Sequence, residues 1–235
     1  MRKNWNLFIP LFKGQVTTRL QERPEGVRIR HSLNGNSIKL YDKEGSVLRP
    51  ETTIIHPEEF KVYRPKEGDE NGQKQWRKLR RGVADLYRRA QVSHQANYRY
   101  LQALASVTGT TPLRQQATGV CQAVRYRGRR YRRLNPLAQA DYQLLRAVSR
   151  GEFTLAGMRN ADLRALLFKP TQCPQQRRHN SALVTRRLAL LRAHGLLKKI
   201  PSTHRYQLTT KGRHIVTALL AACDADVEQL TQIAA

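Results

Sequence analysis

Asn180-Ser181-Ala182-Leu183-Val184-Thr185-Arg186-Arg187-Leu188-Ala189-Leu190-Leu191-Arg192-Ala193-His194-Gly195 decides how the C-terminal part of this chain is read. Val184, Leu188 and Leu191 fall at i, i+4 and i+7, the spacing that puts side chains on one face of a helix. Asn180 or Ser181 caps that helix and Gly195 ends it. The opposite face then carries Ser181, Thr185, Arg186, Ala189 and Arg192, with Arg177, Arg178 and His179 crowding its start. Short polar and arginine side chains on the first turns of a helix suit contact with base edges in a major groove. Asn180, Ser181, Thr185, Arg186 and Arg192 are accordingly candidate contact residues, together with the three that precede them.

Downstream, Leu196-Leu197-Lys198-Lys199-Ile200 reads as a strand, Pro201-Ser202-Thr203-His204 as a tight loop, and Arg205-Tyr206-Gln207-Leu208 as a returning strand. Thr209-Thr210-Lys211-Gly212 starts a last helix with a threonine cap. That helix is expected to run to about Ile233, with Ile215, Val216, Leu219, Leu220, Cys223, Val227 and Leu230 on one broad face that packs on its own domain or on a second copy of the chain. Upstream, Asn135-Pro136 is a good cap and first-turn pair for a helix carrying Leu137, Tyr142, Leu144, Leu145 and Val148 and ending at Arg150-Gly151. Glu152 to Leu155 reads as extended, and Asn160 caps a helix from Ala161 to Phe168 with Leu163, Leu166 and Leu167 inward. A polar loop, Lys169 to His179, follows.

The run from Thr185-Arg186-Arg187-Leu188 through His194-Gly195-Leu196-Leu197 to Tyr206-Gln207-Leu208-Thr209-Thr210-Lys211-Gly212 resembles the winged-helix domains of MarR-like bacterial regulators. The resemblance covers about 80 residues, a usual module length. It implies duplex DNA as partner, with the helix in the major groove and the wing tip, here Thr203, His204 and Arg205, near the minor groove or backbone. The loop at 169–179 is longer than the turn such domains carry, and the N-terminal region has no counterpart in them.

Charge supports a polyanionic partner. The chain has 235 residues, 43 Lys and Arg against 17 Asp and Glu, and a formal net charge of +26. Phosphate backbones reward such a field by releasing counterions. The basicity is local: residues 40–72 hold eight acidic side chains and five Lys or Arg, whereas residues 74–150 hold 17 Lys or Arg and two acidic ones. Its densest part, Arg125-Tyr126-Arg127-Gly128-Arg129-Arg130-Tyr131-Arg132-Arg133, interleaves tyrosine with arginine. Arg125, Arg127, Arg129, Arg130, Arg132 and Arg133 are therefore further candidates for phosphate contact. Such segments also stack on unpaired bases, which makes RNA the rival partner. The residues around it, 108–133, read as an arginine-rich linker.

The N-terminal region reads as β-rich. Val27 to Leu33 and Ser37 to Tyr41 alternate about Asn34-Gly35, a strong hairpin turn. Val47-Leu48-Arg49, Thr52 to Ile55, and Phe60 to Tyr63 add further strands, and Lys66 to Gln73 a loop. Trp76 to Ser106 is then expected to be helical, since Trp76, Leu79, Val83, Leu86 and Tyr87 recur at spacings of three and four. Tyr41-Asp42-Lys43 with Leu48-Arg49-Pro50-Glu51 loosely resembles a strand pair of phage and plasmid rolling-circle replication proteins. That resemblance implies a nucleophilic Tyr41, with Asp42, Glu51 and His31 or His56 near a hard cation. The seven histidines are dispersed, with no H-x-H pair, and no Gly-rich phosphate loop, H-E-x-x-H or G-x-S-x-G motif occurs.

The expectation is an α+β protein without a cofactor: an N-terminal segment (1–25), a β-hairpin region (26–65), a basic helical region (74–107), the linker, and a winged helix-turn-helix domain (134–235). Cys121, Cys173 and Cys223 form no C-x-x-C pair, which points away from zinc and disulfides and towards a reducing cytoplasm. The apolar patch Leu7-Phe8-Ile9 and Leu11-Phe12 is too short for a membrane span. A hairpin reached so early, with nothing to support its sheet, suggests the C-terminal part of a longer ancestral protein.

Overall fold

Asn34 and Gly35 take φ of 50° and 81°, the paired left-handed conformation that lets two strands fold back with their natural twist. In the computed structural model that turn lies at the centre of a larger sheet than the sequence suggests. Strands β1 (Val16–Arg23), β2 (Gly26–Leu33), β3 (Asn36–Lys43) and β4 (Val47–Thr53) pair antiparallel in sequence order. The expected hairpin is present, and β1, which falls in the segment read without an element, extends it. Val47–Thr53 is one strand rather than two pieces. Pro50 is tolerated within it because β4 is a sheet edge, where a missing N–H breaks no ladder.

The structure describes residues 16–24, 26–105 and 111–232, so the apolar patch at 7–12, part of the expected linker, and Ile233 lie outside the described residues. Two compact units are present: the described residues up to Gln102 with Gly151–Ala156, and Ala103–Arg150 with the described residues from Gly157 onward. Among the described residues, no helix is long and apolar enough to cross a membrane.

In the first unit, a 3-10 turn at Pro57–Glu59 leads to β5 (Lys61–Arg64), which pairs with β6 (Gln75–Lys78) across the expected loop. Trp76 is thus a strand residue, its ring 5.5 Å from that of Tyr63, and the helix expected from Trp76 begins ten residues later as α1 (Leu86–Ala105). The apolar spacing that suggests an earlier start forms no buried stripe: Leu79 is buried, but Val83 and Tyr87 are 80% and 79% exposed. The buried stripe of α1 is instead Val92, Ala96 and Tyr100, and Tyr100 packs on Ile38, Leu40 and Ile29 of the sheet.

Beside this core, Thr18 Oγ1 donates to the buried Glu152 carboxylate at 2.7 Å and lies 2.8 Å from His31 Nδ1, while His31 Nε2 lies 2.9 Å from the Tyr100 hydroxyl. Glu152 precedes α4 (Phe153–Ala156), a single helical turn where the sequence suggests an extended piece. Arg99 of α1 donates to the Thr154 and Leu155 carbonyls. The turn thereby closes part of the sheet's apolar face.

The second unit contains α2 (Leu113–Thr118), a hairpin of β7 (Val124–Tyr126) and β8 (Arg129–Tyr131), then α3 (Gln139–Val148), α5 (Asn160–Leu167), α6 (Pro174–Ala193), β9 (Leu197–Lys199), β10 (Tyr206–Leu208), α7 (Thr210–Asp224) and α8 (Val227–Gln232). Leu144, Leu145 and Val148 of α3, Leu163 of α5, Val184, Leu188 and Leu191 of α6, and Ile215, Val216 and Leu219 of α7 are buried. The backbones of Met158 and Tyr206 exchange two hydrogen bonds of 2.8 Å, an isolated antiparallel bridge on the other edge of β10.

Thr209 caps α7 as expected, accepting from the Gly212 N–H at 2.8 Å. A Cβ at Gly212 would lie 2.1 Å from the Leu196 carbonyl oxygen, so a glycine is required there by close approach. Several expected boundaries move. α3 starts at Gln139 and leaves Leu137 85% exposed, because Asn135 Oδ1 accepts from Leu137 N–H in a local turn. The residue that caps α5 is Arg159, whose N–H donates to Asp162. The last helix breaks at Ala225, and Val227 is 77% exposed instead of continuing the buried face.

Candidate nucleic-acid interface

Helix α6 begins at Pro174, where proline costs no hydrogen bond. The polar loop before it is therefore only a few residues long, and the extra length expected at 169–179 belongs to the helix. Arg177, Arg178 and His179 lie in its second turn, and they, Thr185 and Arg186 are exposed. Asn180 is not at the helix end; it is 5% exposed and accepts from Gln176.

Ser181 and Thr185 are engaged by Asn160 of α5. The Asn160 amide donates to the Ser181 carbonyl at 2.9 Å and to Thr185 Oγ1 at 3.0 Å, and Ser181 Oγ donates back to Asn160 Oδ1. Asn160, expected as a cap, thus pins two helices together. From its second turn on, α6 exposes Arg177, Arg178, His179, Ala182, Thr185 and Arg186, with Ala189 and Arg192 half-buried.

The arginine-rich stretch expected as a linker is folded. Arg127 and Gly128 take φ of 51° and 76°, repeating the turn chemistry of Asn34-Gly35, and the register pairs Val124 with Tyr131, Arg125 with Arg130, and Tyr126 with Arg129. Strand alternation separates Val124, Tyr126, Arg129 and Tyr131 on one face from Arg125 and Arg130 on the other. Tyr126, Arg127, Arg129 and Tyr131 line a recess of about 290 Å³ whose other wall is Ala189 and Arg192 of α6. The Arg127 guanidinium lies 5.4 Å from the centre of the Tyr126 ring, and that of Arg192 5.9 Å from Tyr206. Aromatic faces hold such planar cations in place while leaving N–H groups for an anion.

Three contacts anchor the hairpin. Arg132 makes a two-pronged bond to Asp141 of α3, at 2.7 and 2.6 Å. The Leu134 N–H donates to the Val120 carbonyl at 2.9 Å, and His194 after α6 bonds to the Arg132 carbonyl. Burial pushes the Asp141 carboxyl up, but the Arg132 fork and the Asn135 N–H outweigh it and hold the group below its ordinary value. Arg132 therefore serves the fold rather than a ligand. Arg125, Arg127, Arg129, Arg130 and Arg133 remain exposed.

The β9–β10 loop needs a similar correction. Arg205 is 5% exposed, and its guanidinium donates to the Gly157 carbonyl, so it is inside the unit and not at a wing tip. Thr203 closes the loop by donating to the Ile200 carbonyl and accepting from the Arg205 N–H. His204, Lys198 and Lys199 are exposed. No acidic residue opposes these cations in sequence: residues 163–223 contain 12 Lys or Arg and no Asp or Glu.

The residues suggested for strand cleavage lie in the first unit. Tyr41 pairs with Arg49, Asp42 accepts the Gly45 N–H of the following turn, and Glu51 forms an ion pair with Arg49 at 2.7 Å. His31 belongs to the Thr18–Tyr100 network, and His56 lies 3.0 Å from Glu58. Among the described residues, no three His, Cys, Asp or Glu side chains are grouped to hold a metal ion. No family model, curated protein or solved structure matches the chain.

Proposed function

We propose that the second unit is a winged helix that binds duplex DNA, with α6 as the reading helix, β9–β10 as the wing, and the β7–β8 hairpin as a second grip on the phosphates. The observation that carries this reading is the shared recess: Arg127 and Arg129 of the hairpin face Arg192 of α6 across about 290 Å³. Arg125 and Arg130 stand directly opposite each other, an arrangement that is unfavourable unless an anion lies over it. On this reading Arg178 and Arg186 contact base edges or flanking phosphates, and Lys198, Lys199 and His204 contact the backbone.

RNA stays the rival partner, yet Tyr126 and Tyr131 line the recess beside α6 and are half-buried. Base stacking there would require them to turn outward, so the hairpin is better suited to phosphates than to unpaired bases. The test is sequencing of nucleic acid co-purified with the full chain at moderate salt, after separate DNase and RNase treatments. Duplex fragments sharing a short motif are expected, whereas one dominant structured RNA would overturn the reading.

A further inference from the structure

The first unit presents a second cationic surface that the duplex reading does not use. The sheet has one apolar face, covered by α1 through Tyr100 against Ile29, Ile38 and Leu40. Alternation sends the neighbouring residues to the opposite face, and the strand register orders them in rows. One row crosses all four strands as Arg19, Arg30, Lys39 and Glu51, the next as Gln21, Arg28, Tyr41 and Arg49, and a third as Thr17, Ser32, Ser37 and Thr53. These three rows are polar, although Ser37 is fully buried and Val47 follows them at one end of the face. They combine hydroxyls, five cations and one aromatic ring, with a single carboxylate, Glu51, that Arg49 already holds.

We propose that this face binds a single-stranded nucleic acid, with a base stacked at Tyr41 and phosphates held by the flanking cations. Charge complementarity selects the occupant. Arg19 faces Arg30 and Arg30 faces Lys39 across adjacent strands, and like charges directly opposite each other on a sheet destabilise it unless a counter-charge lies over them. A phosphate chain running across the strands supplies that counter-charge.

Tyr41 decides for an unpaired strand. Its ring carries the Arg28 guanidinium 5.2 Å from its centre, and it lines a recess of about 660 Å³ whose charged lining is Arg23, Arg28, Lys43 and Arg49 against Asp42, Glu44 and Glu51. That volume is in the range of ligand clefts, about 300–1,000 Å³. Aromatic rings on open sheets stack on bases whose faces are free, which a duplex does not offer. The surface belongs to the first unit alone and does not depend on the duplex reading of the second.

The test is fluorescence anisotropy of the full chain with labelled oligothymidylate, oligouridylate and a blunt duplex. Tyr41→Ala is expected to weaken single-strand binding about tenfold, the order of one lost stacking contact, with duplex affinity unchanged; Tyr41→Phe keeps the ring and should bind as the parent does. Arg30→Glu should weaken single-strand binding further and flatten its salt dependence. The tighter of the two oligonucleotides identifies the strand as DNA or RNA. Parent-like single-strand affinity in both Tyr41→Ala and Arg30→Glu would overturn the proposal, as would an equal loss on single strand and duplex in Tyr41→Ala, which would mean a shared, purely electrostatic site. Arg125→Ala/Arg130→Ala in parallel keeps the two readings apart, because a failure of the duplex reading leaves the Tyr41 comparison intact.

Discussion

His194, 6% exposed, donates from Nε2 to the backbone carbonyl of Arg132 over 2.9 Å, so the end of α6 holds the base of the arginine hairpin. The bond joins two segments 62 residues apart and fixes the hairpin's position against the helix. His194→Ala is expected to leave that carbonyl without its partner and lower stability by about 1–3 kcal/mol. It should also weaken duplex binding although His194 itself contacts no phosphate. His194→Gln, which can still donate, should recover part of both losses. Thermal unfolding alongside anisotropy checks this, and an unchanged duplex affinity in a destabilised His194→Ala would show that hairpin position does not matter to binding.

The Arg132–Asp141 pair predicts an acid limb of stability. The Asp141 carboxyl is held below its ordinary value, so the folded state releases its proton more readily than the unfolded chain. The contribution is complete above the unfolded value, near 3.9, and is lost as pH falls through the lower folded one. Asp141→Asn should cost about 2 kcal/mol at neutral pH, less than a fully buried pair because the Arg132 side chain is 57% exposed. Its unfolding midpoint should also fall less steeply below pH about 4 than that of the parent. A parallel acid limb in both proteins would assign acid sensitivity to other carboxylates.

Duplex binding should separate two classes of arginine. Arg186→Ala is expected to reduce discrimination between a selected site and random duplex by about 1–3 kcal/mol, the range for a base contact. Arg125→Ala/Arg130→Ala should weaken both duplexes alike and reduce the slope of log affinity against log salt by about 1.8, two phosphate contacts at about 0.9 each. Anisotropy titrations across a salt series measure both quantities. Equal losses on cognate and random duplex for Arg186→Ala would remove α6 from the role of reading helix.

Local signals strong enough to stand alone were legible in the sequence: the Asn34-Gly35 turn, the Thr209 cap, and the stripe of Val184, Leu188 and Leu191. Where a local pattern competed with tertiary pairing, it misled. Trp76 to Tyr87 has helical spacing, but Gln75–Lys78 pairs with Lys61–Arg64, and a strand partner outweighs weak propensity. The arginine-rich stretch read as a linker on composition, although Arg127-Gly128 between alternating residues carried the same turn signal as Asn34-Gly35. β1 was recoverable from Val16-Thr17-Thr18 and the Pro24 turn. That Arg205 and Asn180 face inward was not legible, since both depend on partners, Gly157 and Gln176, that only the fold brings near.

Tyr100 predicts the alkaline behaviour of the first unit. Burial, and then the nearby Glu152 carboxylate, push its phenol up to about 12 from an ordinary 10.0. The folded state keeps this proton more tightly than the unfolded chain, so the stabilisation is complete below pH about 10 and is lost as pH rises through the folded value. A shift of this size corresponds to about 2–3 kcal/mol. Tyr100→Phe removes the titrating group and the contact with His31 Nε2 at 2.9 Å, and should cost about 1 kcal/mol at neutral pH. Its stability should then fall less than the parent's between pH about 10 and 12, read by urea unfolding at a series of pH values with the change in ultraviolet absorbance reporting phenolate. An alkaline loss in Tyr100→Phe as steep as the parent's would show that the buried Thr18–His31–Tyr100–Glu152 network does not control it.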